Sequence, residues 1–148
     1  MKPLPTSPPG WFFTALVAMV ALRVAAPGPQ WLELPWTLLG LVPIALGIAL
    51  HAWALSVLAK AGTTPDPEGR PRALVRAGPY ARTRNPMYLA GVPILAGALL
   101  LLGTAPPALV LPLYALGAVR WVAREEGRLS ERFGAEWDGY RGAVRRWL

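Results

Sequence analysis

Two long stretches without a charged side chain constrain this sequence more than any other feature. Residues 34–59 contain no Asp, Glu, Lys or Arg, and neither do residues 85–119. As an α-helix, residues 36–59 alone would extend roughly 36 Å, enough to cross the hydrocarbon core of a bilayer. With 54% hydrophobic and 16% charged residues, the chain is too apolar for a disordered protein or an ordinary soluble domain. The sequence therefore predicts an integral membrane protein.

Prolines and glycines divide the apolar sequence into predicted spans. The run Gly-Thr-Ala-Pro-Pro at 103–107 interrupts the second uncharged stretch and predicts a hairpin between spans 3 and 4. The first apolar segment is shorter and contains Arg23; a cleaved signal peptide is the alternative interpretation there. We expect one all-α membrane domain over residues 1–148 with about four transmembrane helices, at 11–26, 36–59, 87–102 and 108–122.

Individual residues inside these apolar segments also carry predictions. Gly40, Gly47, Gly91, Gly97 and Gly103 are expected to allow close helix packing rather than phosphate binding. His51, the only histidine, is expected to hydrogen-bond to a neighbouring helix, with a proton relay as the alternative.

The net charge of +7 is concentrated in alternate connections between the spans. Residues 60–86 and 120–148 hold most of the arginines and the N-terminal segment holds Lys2, whereas the remaining connections hold only Glu33. By the positive-inside rule, both termini and residues 60–86 are expected on the cytoplasmic side of the inner membrane. The basic excess then meets membrane lipids, and nucleic acid is not an expected partner.

An aromatic and apolar repeat marks the C-terminal segment. Phe133, Trp137, Tyr140, Val144 and Trp147 recur three or four residues apart, as on one face of a helix. The spacing predicts a C-terminal amphipathic helix lying in the membrane interface. Its aromatic face could anchor the chain in the membrane or cover a bound ligand.

The two cytoplasmic segments hold nearly every group that could carry out chemistry. Residues 72–88 combine several arginines with a Gly-Pro turn, Tyr80 and Tyr88, and Glu125 and Glu126 follow the fourth predicted span. The predicted hairpin brings both segments to one face of the membrane. Adjacent carboxylates opposite arginines could bind a zwitterionic or cationic ligand, or could form an ordinary salt-bridge network. One histidine and no cysteine cannot compose a usual transition-metal site, so no metal is expected.

Several short motifs follow one another across residues 60–148. They are Gly78-Pro79-Tyr80, then Arg84-Asn85-Pro86-Met87-Tyr88 leading into a span, then Glu125-Glu126, and then Leu129, Phe133-Gly134, Trp137 and Tyr140. In this order, with a hairpin between them, they resemble the isoprenylcysteine carboxyl methyltransferase and phospholipid methyltransferase superfamily of membrane enzymes. The resemblance implies methyl transfer from S-adenosylmethionine to a lipid or lipophilic acceptor that enters from the bilayer.

By position, the resemblance also implies which residues form the site. The cofactor contacts would come from Arg72, Ala73, Leu74, Val75, Tyr80, Asn85, Pro86, Met87, Tyr88 and Glu125. Glu125 would bind the ammonium or ribose hydroxyls of the cofactor or offset its sulfonium charge, and the two tyrosines would supply aromatic faces. An ammonium acceptor must first lose a proton, for which Glu125 and Glu126 are the candidate bases.

Two positions depart from the prenylcysteine enzymes. Asn85 stands where those enzymes have histidine, and Trp121 stands where they have the arginine for the substrate carboxylate. Arg120 and Arg124 are candidate replacements for that arginine. The acceptor group therefore stays open among carboxylate, amine and thiol. Two other functions also stay open: a sterol-reductase-like enzyme that uses NADPH, and a non-catalytic membrane protein that binds lipid or acts as a scaffold.

Overall fold

A computed structural model describes residues 8–63 and 72–148, so Lys2 and part of the predicted 60–86 loop lie outside the described residues. The α-helices of the described ranges are α1 (Pro8–Ala25), α2 (Leu41–Lys60), α3 (Pro86–Leu102), α4 (Val110–Phe133) and α5 (Ala135–Ala143). Short 3-10 helices occur at Trp36–Gly40, Gly78–Ala81 and Pro106–Leu109. Within these two ranges the chain forms no β-strand, and the all-α prediction is confirmed for them.

The first three helices coincide with the predicted spans to within a few residues, whereas α4 continues to Phe133, eleven residues beyond the predicted end of span 4 at residue 122. Trp36–Lys60 and Pro106–Phe133 are long and apolar enough to cross a membrane, whereas Gly10–Ala25 and Pro86–Leu102 are shorter apolar helices. The break between α3 and α4 falls where the sequence predicts it, because Gly103 ends α3 with a φ of +64°. Glycine adopts this left-handed conformation at no steric cost. Whether all four helices cross the membrane stays a prediction.

Glycines bring helices into close contact at several positions. A Cβ atom on Gly40, which immediately precedes α2, would collide with the carbonyl oxygen of Gly97 of α3. A Cβ atom on Gly47 would lie 2.6 Å from another main-chain oxygen of α3, and one on Gly91 would collide with the Tyr114 hydroxyl. The predicted packing role is therefore confirmed for these glycines.

The buried core lies where α1 packs against α3 and α4. It consists of apolar and aromatic side chains from these three helices: Ala15, Met19, Leu95, Val110 and Tyr114. Partly buried side chains such as Phe12 and Leu99 pack around this cluster. Helix α1, the weakest predicted span, is thus attached to the pair of helices that carries the motifs.

Two polar side chains in the apolar helices have different surroundings. Arg23 donates its Nε to the carbonyl oxygen of Leu102 at 3.1 Å, so its charge lies at the negative end of the α3 dipole. His51, by contrast, makes no side-chain hydrogen bond within the described part of the chain. Among the described residues the predicted interhelical bond from His51 is therefore not formed.

The connections between helices gather at two ends of the fold. At one end, the N–H of Trp31 donates to the carbonyl oxygen of Gly103 at 2.9 Å, which joins the 26–35 loop to the α3–α4 turn. At the other end, the N–H of Arg84 donates to the carbonyl oxygen of Arg145 at 3.0 Å. The two arginine-rich segments therefore meet, as the predicted hairpin requires, and their side of the membrane stays a prediction.

The predicted C-terminal amphipathic helix over residues 133–147 is wrong in its extent. Helix α4 continues to Phe133, and the chain turns at Gly134, which has a φ of +49° and a ψ of −122°. Helix α5 then ends at Ala143, and Val144 is extended. Glycine at position 134 permits a backbone conformation that interrupts the helix. The aromatic repeat is therefore divided among the end of α4, helix α5 and the extended segment after it.

Candidate functional site

A hydrogen bond between α3 and α4 lies at the centre of the candidate site. Tyr88, in the first turn of α3, donates its hydroxyl to Oε2 of Glu125 at 3.1 Å. Tyr114 donates its own hydroxyl to the main-chain oxygen of Tyr88 at 3.2 Å and so holds this turn against α4. The structure thus brings together two residues that the resemblance assigned to cofactor binding. An ionised carboxylate can accept about four hydrogen bonds, so Tyr88 uses only part of the capacity of Glu125.

Tyr80 lies beside this pair on the 3-10 helix Gly78–Ala81. Its main-chain oxygen accepts a 2.7 Å hydrogen bond from the hydroxyl of Tyr140 in α5. Burial raises the pKa of Tyr80, and the charge of nearby Glu125 raises it further. Burial also raises the pKa of Tyr140, to about 12. Both phenols are therefore protonated at physiological pH, and Tyr140 is available as a hydrogen-bond donor.

Glu126 faces a different direction from Glu125 and forms a cluster with two arginines. Its Oε2 accepts hydrogen bonds from Nη2 and Nε of Arg146 at 2.6 and 3.0 Å. Its Oε1 lies 3.5 Å from Nη1 of Arg84. The side chains of Glu126 and Arg84 are each only 9% exposed. For Glu126 the salt-bridge alternative from the sequence is therefore correct, and this environment does not favour its predicted role as a base.

Aromatic side chains of α5 contact Arg84 of this cluster and neighbouring Arg76. Trp137 is 1% exposed and lies under the guanidinium of Arg84, 5.6 Å from Cζ to the ring centroid. Tyr140 lies similarly under Arg76, at 5.8 Å. The aromatic face of α5 therefore contacts the protein, and the interfacial position of α5 stays a prediction.

The C-terminal segment runs alongside the start of α3. The carbonyl oxygen of Arg146 accepts hydrogen bonds from Thr83 Oγ1 and from Asn85 Nδ2, both at 3.1 Å. Asn85 thus uses its amide N–H to hold the chain terminus, and its predicted cofactor contact stays a prediction. Pro86 is buried as the first residue of α3, and Met87 is half-buried behind it.

Residues 72–75 precede Arg76, which binds α5. The main-chain N–H of Arg72 donates to Thr63 Oγ1 at 3.2 Å, and the Arg72 side chain is exposed. Ala73, Leu74 and Val75 are half-buried. The next residue, Arg76, donates Nη2 to the main-chain oxygen of Glu136 at 2.7 Å. This bond fixes one end of the segment, and its contact with a cofactor stays a prediction.

Arg120 and Arg124 lie on the exposed side of α4. At about 100° per residue, Arg124 is turned about 100° from Glu125 around the helix axis, and Arg120 about 140°. The guanidinium of Arg124 lies over the ring of Trp121, 5.4 Å from its centroid. The predicted binding of a substrate carboxylate by these arginines is therefore not favoured by the geometry of α4.

Sequence reasoning missed two arginines that act on the paired carboxylates. Arg128 interacts electrostatically with Glu125, and their i, i+3 spacing on one helix was a usable signal. Arg146 reaches Glu126 only because the chain folds back after α5, and no local pattern encodes that contact.

Among residues 8–63 and 72–148, no three Asp, Glu or His side chains are grouped as metal ligands would be.

Comparisons with known proteins give one match. Residues 36–136 match the family model described as phospholipid methyltransferase. The matched range begins before α2 and ends in α5, and it includes Tyr80, Tyr88 and Glu125. No curated protein and no solved structure shows significant similarity to the chain.

Proposed function

Because the chain belongs to the phospholipid methyltransferase family, we propose that it is an S-adenosylmethionine-dependent methyltransferase of the membrane. Its acceptor would be a lipid or a small lipophilic molecule that reaches the site from the bilayer. Both the family and the two span-length apolar helices support a membrane location. The observation that carries the proposal is the hydrogen bond between Tyr88 and Glu125, which joins two separate motifs at one point.

The residues at this point suit the chemistry of the proposed cofactor. S-adenosylmethionine supplies an electrophilic methyl group on a positively charged sulfur. Glu125 offers unused acceptor capacity for an ammonium or for ribose hydroxyls. The rings of Tyr80 and Tyr88 offer aromatic faces to adenine or to a cation. The half-buried stretch 73–75 and the buried Pro86 would exclude water from the amino-acid end.

Little else is required of the protein for methyl transfer. The bond from the acceptor to the methyl carbon forms as the bond from carbon to sulfur breaks, so no nucleophilic residue is needed. Alignment of the reactants and exclusion of water can together contribute roughly 7–11 kcal/mol to lowering the barrier. In the proposed site, Tyr114 supports this alignment by holding the main chain of Tyr88 against α4.

The chemistry of the acceptor decides whether a base is needed. A carboxylate or thiolate attacks directly, whereas an ammonium must first release a proton. We assign that proton to Glu125 rather than Glu126, because two arginines already engage the Glu126 carboxylate. Glu126 would then act as a positioning residue for Arg84 and the C-terminal segment.

Calorimetric titration of the full-length protein in detergent tests the proposed function. We expect S-adenosylmethionine and its demethylated product to bind and NADPH not to bind. Binding of NADPH alone would favour the reductase instead. Binding of neither methyl-cofactor form would refute the proposed function.

Point variants test the assignment of the site. Glu125→Gln and Tyr88→Ala are each expected to weaken cofactor binding about tenfold or more, which corresponds to about 1.4 kcal/mol. Asp138→Asn is the matched control, because it removes a carboxylate that is 59% exposed and pairs with Arg141 rather than with Tyr88. If the Glu125→Gln and Tyr88→Ala variants bind the cofactor with the same affinity as the wild-type protein, the cofactor binds elsewhere.

The proposed orientation can be tested with single cysteines, because the chain contains none. A cysteine at exposed Arg145 should be labelled by a membrane-impermeant reagent only from the cytoplasmic side. A cysteine at exposed Glu33 should be labelled only from the opposite side. Labelling of both positions from one side would contradict the four-span topology.

A further inference from the structure

Arginines recur at every fourth position along the polar half of α4. Arg120, Arg124, Arg128 and Arg132 are all exposed, and an i, i+4 repeat places neighbouring members on adjacent turns of the helix. Like charges at this spacing destabilise an isolated helix. An edge of this kind is therefore suited to an anionic partner outside the chain.

The two arginines nearest the apolar half have no acidic partner within the described residues. Arg120 and Arg124 form none of the ion pairs that occur there. Neighbouring Glu125 is hydrogen-bonded to Tyr88, and Glu126 is buried between other arginines. Glu131 is exposed but lies two turns further along α4. The positive charge of this part of the edge is therefore not neutralised by the protein.

The length of the apolar half places these arginines near the boundary between the hydrocarbon core and the lipid head groups. The uncharged helical part that precedes Arg120 is Pro106–Leu109 plus residues 110–119, which rise about 23 Å together. The hydrocarbon core of a bilayer is about 30 Å thick. If α4 begins at the opposite boundary of the core, Arg124, about 6 Å beyond Arg120 along the helix, lies near the head-group boundary. The long side chain of Arg120 reaches the same boundary from about one turn deeper.

An aromatic side chain lies next to these arginines in the sequence. Trp121 lies between the two arginines, and tryptophan is enriched at the membrane interface. The guanidinium of Arg124 is held over the Trp121 ring at 5.4 Å, which limits its conformational freedom before any lipid binds.

We propose that Arg120, Trp121 and Arg124 form a binding site for the head group of an anionic phospholipid. The two guanidinium groups would bind the phosphodiester, and the Trp121 ring would pack against the glycerol region. A zwitterionic head group would bind less well, because it has no net charge to attract the two guanidinium groups. The two arginines lie on the exposed side of α4, about 140° and 100° around the helix axis from Glu125, so their phosphate site is separate from the proposed methyl-transfer site.

Native mass spectrometry of the full-length protein in detergent tests this site. The probes are phosphatidylglycerol and phosphatidylcholine with identical acyl chains, each titrated separately. A basic residue at an anionic surface contributes about fivefold to affinity, equivalent to about 1 kcal/mol. We therefore expect a preference for phosphatidylglycerol of roughly 25-fold, which Arg120→Gln combined with Arg124→Gln should abolish.

Two further variants separate this site from general effects of charge and folding. Arg132→Gln combined with Arg141→Gln removes the same charge, but Arg132 lies about 12 Å beyond Arg124 along α4, more than a Debye length at physiological salt. This control should keep the preference, and the double Arg→Lys variant at 120 and 124 should keep most of it. No lipid preference in the wild-type protein, or an equal loss in both glutamine variants, would overturn the proposal.

Discussion

The buried cluster around Glu126 makes a strong prediction about stability. Glu126→Gln preserves the size of the side chain but leaves Arg84, which is 9% exposed, without a negative partner. Removing one partner of a buried ion pair costs about 3–5 kcal/mol, because the remaining charge stays out of water. Arg146 is 43% exposed and can turn toward solvent, so it should add little. We therefore expect a loss of about 3 kcal/mol in the free energy of unfolding.

A second ion pair in the chain provides a matched control. Arg76 and Glu136 are 45% and 57% exposed, and exposed pairs contribute about 0–1 kcal/mol. Glu136→Gln also leaves intact the 2.7 Å hydrogen bond from Arg76 to the main-chain oxygen of residue 136. Equilibrium unfolding by SDS in mixed detergent, followed by circular dichroism, measures both variants. Equal loss of stability in the two variants would refute the assignment of Glu126 as a buried structural charge.

A double variant distinguishes charge from packing at this position. If the cost of Glu126→Gln arises from the uncompensated Arg84, then adding Arg84→Met should recover part of the lost stability, because no cation is left buried. A merely additive loss would indicate that packing of the Glu126 side chain, and not its charge, stabilises the cluster.

Three further predictions concern packing and protonation at other sites. Gly47→Ala should cost about 1–3 kcal/mol in SDS unfolding, because the new Cβ atom would lie 2.6 Å from the carbonyl oxygen of Ala90 and separate α2 from α3. Trp137→Ala should cost about 3–5 kcal/mol in the same assay, since this side chain is fully buried. Because the pKa of Tyr140 is raised to about 12, its contribution to stability should be complete below pH 10 and decrease as the pH rises toward 12. Tyr140→Phe should flatten that decrease, and an unchanged alkaline profile would contradict the buried environment.

The helices were predictable because their signals are local. A membrane span needs only an uncharged run of sufficient length, and its ends are set by residues such as Pro86 and Gly103, whose backbone preferences act within one or two positions. The aromatic repeat from Phe133 to Trp147 was misleading for a related reason. Its spacing continues across Gly134, but a period alone carries no information about a glycine that changes the direction of the chain.

The members of the candidate site were more predictable than its contacts. The motifs identified Tyr88 and Glu125 as neighbours in function, and the structure joins them by a hydrogen bond. Sequence spacing could not show that Arg146 returns to Glu126, because that contact depends on the path of the chain after α5. Tyr114 was equally hidden, since a tyrosine within an apolar helix is compatible with core packing alone.

The different surroundings of Glu125 and Glu126 follow from their being adjacent on one helix. Successive residues point about 100° apart, so the two carboxylates face different neighbours. Glu126 continues the buried line Tyr114, Ala118 and Val122. A charge is tolerated there only with the arginines that compensate it. Glu125 faces the first turn of α3 and retains capacity to accept further hydrogen bonds. An adjacent pair of glutamates thus allows one carboxylate to hold the C-terminal segment in place while its neighbour stays available to a bound molecule.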